Sequence, residues 1–314
     1  MVRRGSLRDS YSVMVCTSNN MWVVNYRKVW FTLSALLILG SIWAMYAYGF
    51  NFSIDFKGGT LTEASYTSRP EKSEIESHLE ALNIGGFSVR PSGDKNYVVR
   101  TKELSDQERV KLLTALENPK IERQNTIGPV AGVELQGKAT KAVAVVIVMI
   151  VLFITFAFRK VSKPVASWKY GLATIIALAH DVIIPTGIFV YLGHLLGIEI
   201  DLLFVTGLLA ILGYSVHDTI VVFDRVRENL SLQSSNENFD VVVGKSVSQT
   251  FGRSINTSLT IFITLLALYV YGAAATKTFA LLLLIGVIVG TYSSIFVASP
   301  LLVTFSRLQK KTSK

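Results

Sequence analysis

Six runs of apolar residues constrain what this chain can fold into more than any other feature. A helix that crosses a bilayer needs about 20 mostly apolar residues, because the hydrocarbon core is roughly 30 Å thick and a helix rises about 1.5 Å per residue. Residues 29–49, 142–158, 170–191, 202–223, 254–271 and 278–305 meet that requirement, the second and fifth being the shortest. Composition agrees: 50% of the 314 residues are apolar and only 17% are charged, where soluble domains carry roughly a quarter charged residues. The first run is 21 residues long, more than the apolar core of a usual signal peptide. It is therefore expected to stay as an uncleaved helix, with Trp30, Trp43, Tyr46 and Tyr48 as interfacial anchors. A single cysteine, Cys16, excludes a disulfide framework and a multi-cysteine metal site.

The net charge of +9, from 31 basic and 22 acidic side chains, takes its meaning from position. The tail 1–28 holds Arg3, Arg4, Arg8, Arg27 and Lys28 against Asp9. The turn after the second run holds Arg159, Lys160, Lys163 and Lys169, and the tail 306–314 holds Arg307, Lys310, Lys311 and Lys314. Each of these blocks carries +4, residues 224–253 balance four bases against four acids, and residues 50–140 hold 12 bases and 13 acids. All three basic blocks fall on one face of a six-span plan, so both termini are expected in the cytoplasm. Short cationic blocks abutting membrane helices are not a nucleic-acid surface, and no nucleic-acid partner is expected.

Residues 50–141 form the one large extramembrane piece. A strand over 60–66, a helix over 71–82 after Pro70, strands over 87–90 and 97–101 joined by a turn at Ser92-Gly93-Asp94, a helix opened by Ser105 with Glu108, and a last strand over 121–127 give the order β-α-β-β-α-β. The fold class is thus a polytopic α-helical membrane protein with six transmembrane helices and one α+β ferredoxin-like (βαββαβ) extracytoplasmic domain between helices one and two. His78, set among Glu74, Glu76 and Glu80, reads as part of a solvated charged face rather than a metal site. Gly58-Gly59 lacks both the P-loop ending and the Rossmann spacing, and reads as a tight turn where the chain leaves the membrane. No metal, cofactor or catalytic constellation is expected, and the chain does not read as an enzyme.

Charged side chains inside an apolar run cost several kcal/mol on insertion scales and are functional candidates by default. Asp218 lies five residues before the end of the fourth run, or about 8 Å along the helix. Steps of three and four place Ser215, Tyr214, Ile211 and Gly207 on its face, which should point into the bundle. In the fifth run Arg253, Asn256, Thr257, Thr260 and Thr264 form a polar stripe, and a long guanidinium could reach Asp218. An interfacial anchor snorkelling to lipid phosphate is the alternative reading of Arg253. Asp181 falls near the middle of the third run, one turn before Pro185. Gly286, Gly290, Ser294 and Ala298 recur every fourth residue in the sixth run, a seam for close helix packing. His180 and His217 each precede an aspartate, but neighbours on a helix do not face each other, so no His-Asp site is expected. A buried carboxylate favours its protonated form and a nearby cation the ionised one, so relative helix movement can load and release a proton. A static ion pair that fixes the bundle is the alternative.

Gly213-Tyr214-Ser215-Val216-His217-Asp218-Thr219-Ile220-Val221-Val222-Phe223-Asp224-Arg225-Val226-Arg227-Glu228-Asn229 closely resembles the fourth-span signature of the SecD/SecF family, protein-export membrane subunits related to resistance-nodulation-division transporters. Asp55-Phe56-Lys57-Gly58-Gly59-Thr60, Ile127-Gly128-Pro129-Val130 with Glu134-Leu135, Ala177-Leu178-Ala179-His180-Asp181, Ser248-Gln249-Thr250-Phe251-Gly252-Arg253-Ser254 and Gly290-Thr291-Tyr292-Ser293-Ser294-Ile295-Phe296 resemble its other motifs in order. The resemblance implies a SecF-like subunit that works with SecD beside the SecYEG channel. YajC and the polypeptide pushed through by SecA are further implied partners. It would sit in the bacterial cytoplasmic membrane and use the proton motive force for late, ATP-independent export. Asp218 and Arg253 would be the proton-responsive residues, with Asp181 a third candidate. His217 stands where the family usually has Asn, and the first twenty or so residues match nothing in the family pattern. A non-transducing structural subunit, or half of a small-molecule exporter, are the other readings.

Overall fold

The computed structural model describes residues 21–93, 95–159, 166–232 and 238–312. Arg3, Arg4, Arg8, Asp9, Cys16, Asp94, Lys160, Lys163 and Lys314 lie outside the described residues. A helical turn, α1 (Trp22–Asn25), precedes the first span, α2 (Arg27–Tyr48). The short α3 (Ile54–Lys57) leads into the extramembrane domain: β1 (Gly59–Ser65), α4 (Lys72–Ala81), β2 (Phe87–Ser92), β3 (Asn96–Thr101), α5 (Asp106–Ala115) and β4 (Lys120–Ile127). The remaining spans are α6 (Pro129–Ala157), α7 (Ser167–Leu196), α8 (Leu202–Leu232), α9 (Phe239–Tyr271) and α10 (Ala274–Ser293). The last continues through a π-helical turn, Ser294–Ala298, into α11 (Ser299–Thr312).

Among the described residues six helices are long and apolar enough to cross a membrane, and the chain is a multi-pass membrane protein. The helices outrun the apolar segments: α6 begins at Pro129, α8 runs on to Leu232, and α9 starts at Phe239. Hydropathy marks only the part of a helix that lies in lipid, whereas backbone hydrogen bonding continues into water until a cap or a proline stops it. The π-helical turn lies just before Pro300, which has no N–H to give to the preceding turn, and Ser299 Oγ donates to the Ser294 carbonyl at 2.9 Å.

The extramembrane sheet has the order β2-β3-β1-β4 with every neighbouring pair antiparallel. That is the split βαβ arrangement expected from the element order, β3 lying between β1 and β2. One sheet face is closed by Ile75 and Leu79 of α4 and Leu112 of α5 against Ala64, Val89, Tyr97 and Val99. A capping box starts α5, with Ser105 N donating to Glu108 Oε2 at 2.9 Å and Glu108 N to Ser105 Oγ at 3.4 Å. His78 is exposed, with its Nδ1 3.2 Å from the Ala115 carbonyl oxygen.

Two expectations near the first span need correction. Val23 and Val24, in the segment read as a tail, are each 1% exposed and join the core of the bundle. Trp22 lies edge-on to Trp30, Phe251 and Phe296. Of the four expected anchors, Trp43 and Tyr46 are exposed. Trp30 packs on Phe296, and Tyr48 stacks on His194 with ring centroids 4.2 Å apart. Aromatic rings near a span end serve the interface or the bundle equally well, and only the neighbours decide which.

Candidate functional site

The polar centre of the bundle is built where α7, α8, α9 and α10 meet. Close approach comes first, because short hydroxyl side chains reach one another only between tightly packed backbones. A Cβ on Gly286 would collide with the Ile211 side chain, and one on Gly290 would lie 3.1 Å from Ser215 Cβ. The small-residue seam therefore presses α10 onto α8 as its spacing predicts. Ser294 continues it: its Oγ lies 2.9 Å from Thr219 Oγ1 and donates to the Ser215 carbonyl at 3.3 Å. Tyr214 OH stands 2.6 Å from Ser258 Oγ and 3.0 Å from Thr291 Oγ1, which are themselves 2.6 Å apart.

Two carboxylates sit in this hydroxyl layer. Asp181 is fully buried. Its Oδ2 accepts from Ser215 Oγ and from Ser293 Oγ, the latter at 2.7 Å, and its Oδ1 lies 2.9 Å from His180 Nδ1. Asp218 is 7% exposed; Ser254 Oγ donates to its Oδ1 at 2.5 Å, and its Oδ2 is buried without a hydrogen-bond partner. Among the described residues neither carboxylate is ion-paired to a lysine or arginine. Nor does any group of three or more His, Cys, Asp or Glu side chains there offer a metal site.

Three sequence expectations change at this centre. Arg253 does not reach Asp218: it lies exposed on α9, as do Asn256, Thr257 and Thr260. The face of α9 turned into the bundle is one residue on, Ser246, Thr250, Ser254 and Ser258 at four-residue steps. Threonine hydroxyls on the outer face satisfy themselves on their own helix, Thr260 donating to the Asn256 carbonyl and Thr264 to that of Thr260, each at 2.9 Å. A self-satisfied hydroxyl carries little penalty in lipid, so polarity alone did not distinguish the two faces. The second change concerns His180. It does meet its neighbour Asp181, because both side chains leave the same buried flank of α7, and its ring stacks on Tyr292. His217, by contrast, is exposed. The third is Ser254 itself, whose hydroxyl donates to Asp218 and which the sequence reading named only as the end of the motif 248–254.

A second polar constellation ties the extramembrane domain to the bundle. The chain leaving α2 pairs with the α7–α8 loop: Ser53 N donates to the Ile200 carbonyl at 2.9 Å and Ile200 N to that of Asn51 at 2.8 Å. Leu202 N, at the start of α8, donates to Asp55 Oδ2 at 3.0 Å. The two glycines that follow are required by close contacts as well as by the turn. A Cβ on Gly58 would lie 2.7 Å from Pro129 Cα, and one on Gly59 2.5 Å from the Thr101 carbonyl oxygen, with φ of +77° and +129°. Across this junction Glu199 Oε1 meets Arg100 Nη1 at 2.6 Å and Arg90 Nη1 at 3.4 Å.

Comparison with known proteins places this architecture. Residues 108–308 match the family described as protein export membrane protein SecD/SecF, C-terminal, and residues 43–68 match the SecD/SecF GG motif. Protein translocase subunit SecF of Thermobaculum terrenum is 39% identical over 90% of this chain and 93% of its own length. That of Anaerolinea thermophila is 36% identical over 90% and 92%. The crystal structure of SecDF, a translocon-associated membrane protein from Thermus thermophilus, superposes with a TM-score of 0.81 at 34% identity. It covers 92% of this chain, which spans only 39% of that one. Relatives of this kind are transport components, and they support an accessory role in Sec translocation alongside SecD. The chain belongs to the SecD/SecF family of protein-export membrane proteins.

Proposed function

We propose that the chain acts with SecD as a proton-driven accessory of the Sec translocase, using the proton motive force for late, ATP-independent export across the bacterial cytoplasmic membrane. The observation that carries the reading is a pair of buried carboxylates, Asp181 and Asp218, held in a hydroxyl layer and, among the described residues, ion-paired to no lysine or arginine. Burying a permanent charge this way is costly, whereas a carboxyl that takes up a proton and gives it back can stay. Each proton that crosses 100 mV supplies about 2.3 kcal/mol, and coupling it to helix movement turns that into work on the exported chain. Arg253, exposed beside Ser254 on α9, is the cation that a shift of this helix, or the docking of SecD against it, would bring to bear on Asp218. SecYEG, YajC and the chain delivered by SecA are the partners this role requires.

The test is Asp218→Asn in membrane vesicles. The variant should insert, co-purify with SecD and lose the part of export that depends on the proton gradient. Export at the native level would remove the mechanism and leave the non-transducing scaffold. Unchanged export with lost efflux of a small molecule would favour the exporter reading.

A further inference from the structure

We infer that Arg90, Arg100 and Glu199 form a releasable latch that couples the extramembrane domain to the helix pair α7–α8, and that all three are positioning residues for the movement that drives export. The inference rests on the proposed function for what makes the helices move, and on the geometry alone for the latch.

Arg90 and Arg100 stand on adjacent strands, β2 and β3, on the sheet face that α4 and α5 leave uncovered. Both guanidinium groups converge on one oxygen, Glu199 Oε1, in the five-residue loop between Leu196 and Leu202. The Glu199 side chain is 8% exposed. The loop is shaped for the contact. Gly197 caps α7 in the left-handed conformation at φ +70°, and a Cβ there would lie 3.0 Å from the Arg90 guanidinium. The latch lines a polar cleft of about 330 Å³ between the sheet and the bundle.

The two helices that the loop joins are the ones that carry the buried carboxylates. Asp181 lies 15 residues before the end of α7 and Asp218 lies 16 residues after the start of α8, or about 22–24 Å along each axis. A tilt of about 5° around the carboxylates displaces the loop by about 2 Å over that lever. Where the sheet does not follow, that parts a contact of 2.6 Å, while the pairing of Ile200 with Asn51 and Ser53 keeps the loop on the chain that enters the domain. Burial pushes the Glu199 carboxyl above its usual range and the Arg100 guanidinium below its own, so for each group desolvation outweighs the attraction of its partner. Such a buried pair fixes an arrangement without adding much stability.

Pulsed electron resonance on the complex with SecD in proteoliposomes tests the latch. Labels go on cysteines replacing exposed Asp106 of the domain and Tyr271 at the outer end of α9, with Cys16→Ser. The native pair should give one narrow distance distribution. Glu199→Ala should lose it and lose gradient-driven export, and the charge exchange Glu199→Arg with Arg100→Glu should restore both. A narrow distribution in Glu199→Ala overturns the latch, and so does a charge exchange that restores neither readout. The reading it rests on fails separately: export by Asp218→Asn at the native level refutes proton coupling and leaves the distance result standing.

Discussion

Gly58→Ala tests one of the contacts that seat the extramembrane domain on the membrane bundle. Its φ and ψ of 77° and 166° are nearly those of Gly49, at 66° and 176°, a region that only glycine occupies readily. An alanine at either position therefore carries the same backbone strain, about 1–3 kcal/mol. The surroundings differ. Nothing lies within 4 Å of a Cβ at Gly49, whereas a Cβ at Gly58 meets Pro129 Cα at 2.7 Å and Pro129 N at 2.9 Å. Those are backbone atoms at the first turn of a 29-residue helix, so relief requires α6 to shift. Forcing an extra carbon into a packed site costs about 1–3 kcal/mol, and that is the expected excess of Gly58→Ala over Gly49→Ala. One or two kcal/mol changes the folded-to-unfolded ratio by about 5–30-fold. Unfolding in detergent by titration with SDS measures both variants against the native chain. Equal losses for the two would refute the account of Gly58 as a packing residue and reduce it to a turn.

Further outcomes follow from the same geometry. Gly286→Val places a branched side chain on Ile211 and should destabilise the bundle by about 1–3 kcal/mol, while Gly40→Ala, with nothing within 4 Å, should leave stability unchanged or raise it by up to about 1 kcal/mol; the same titration reads both. Ser254→Ala removes the hydrogen bond to Asp218 and should cost about 1–3 kcal/mol, whereas Thr260→Ala on the exposed face should stay within about 0.5 kcal/mol of native. Glu199 sets a pH dependence. Its carboxyl titrates above the ordinary 4.5, so between that value and its raised one the folded chain holds a proton that the unfolded chain has released. The resulting stability is present in acid and is lost as pH rises through the raised value, and Glu199→Gln should flatten the profile measured by unfolding across that range.

Much of this molecule is legible in one dimension. Runs of about twenty apolar residues impose spanning helices because lipid offers the backbone no hydrogen bonds, and the six appear in the expected order. Asp181 and Asp218 stand out because a charge in such a run is costly, and the Gly286-Gly290-Ser294 seam because close packing demands small residues at a fixed period. The βαββαβ domain follows from its caps and alternation. What tertiary structure alone decides is direction and long-range pairing. The choice between the Arg253 stripe and the Ser254 stripe on α9 is a rotation of about 100°. It turns on which face meets α8 and α10, since threonine hydroxyls that bond their own helix look as polar as serines that bond a carboxylate. Val23 and Val24 are buried by helices more than two hundred residues away. Arg100 and Glu199 lie about a hundred residues apart in sequence and 2.6 Å apart in space. No local pattern relates such partners: propensity and periodicity act within a few turns, whereas a salt bridge between domains exists only once both have folded and docked.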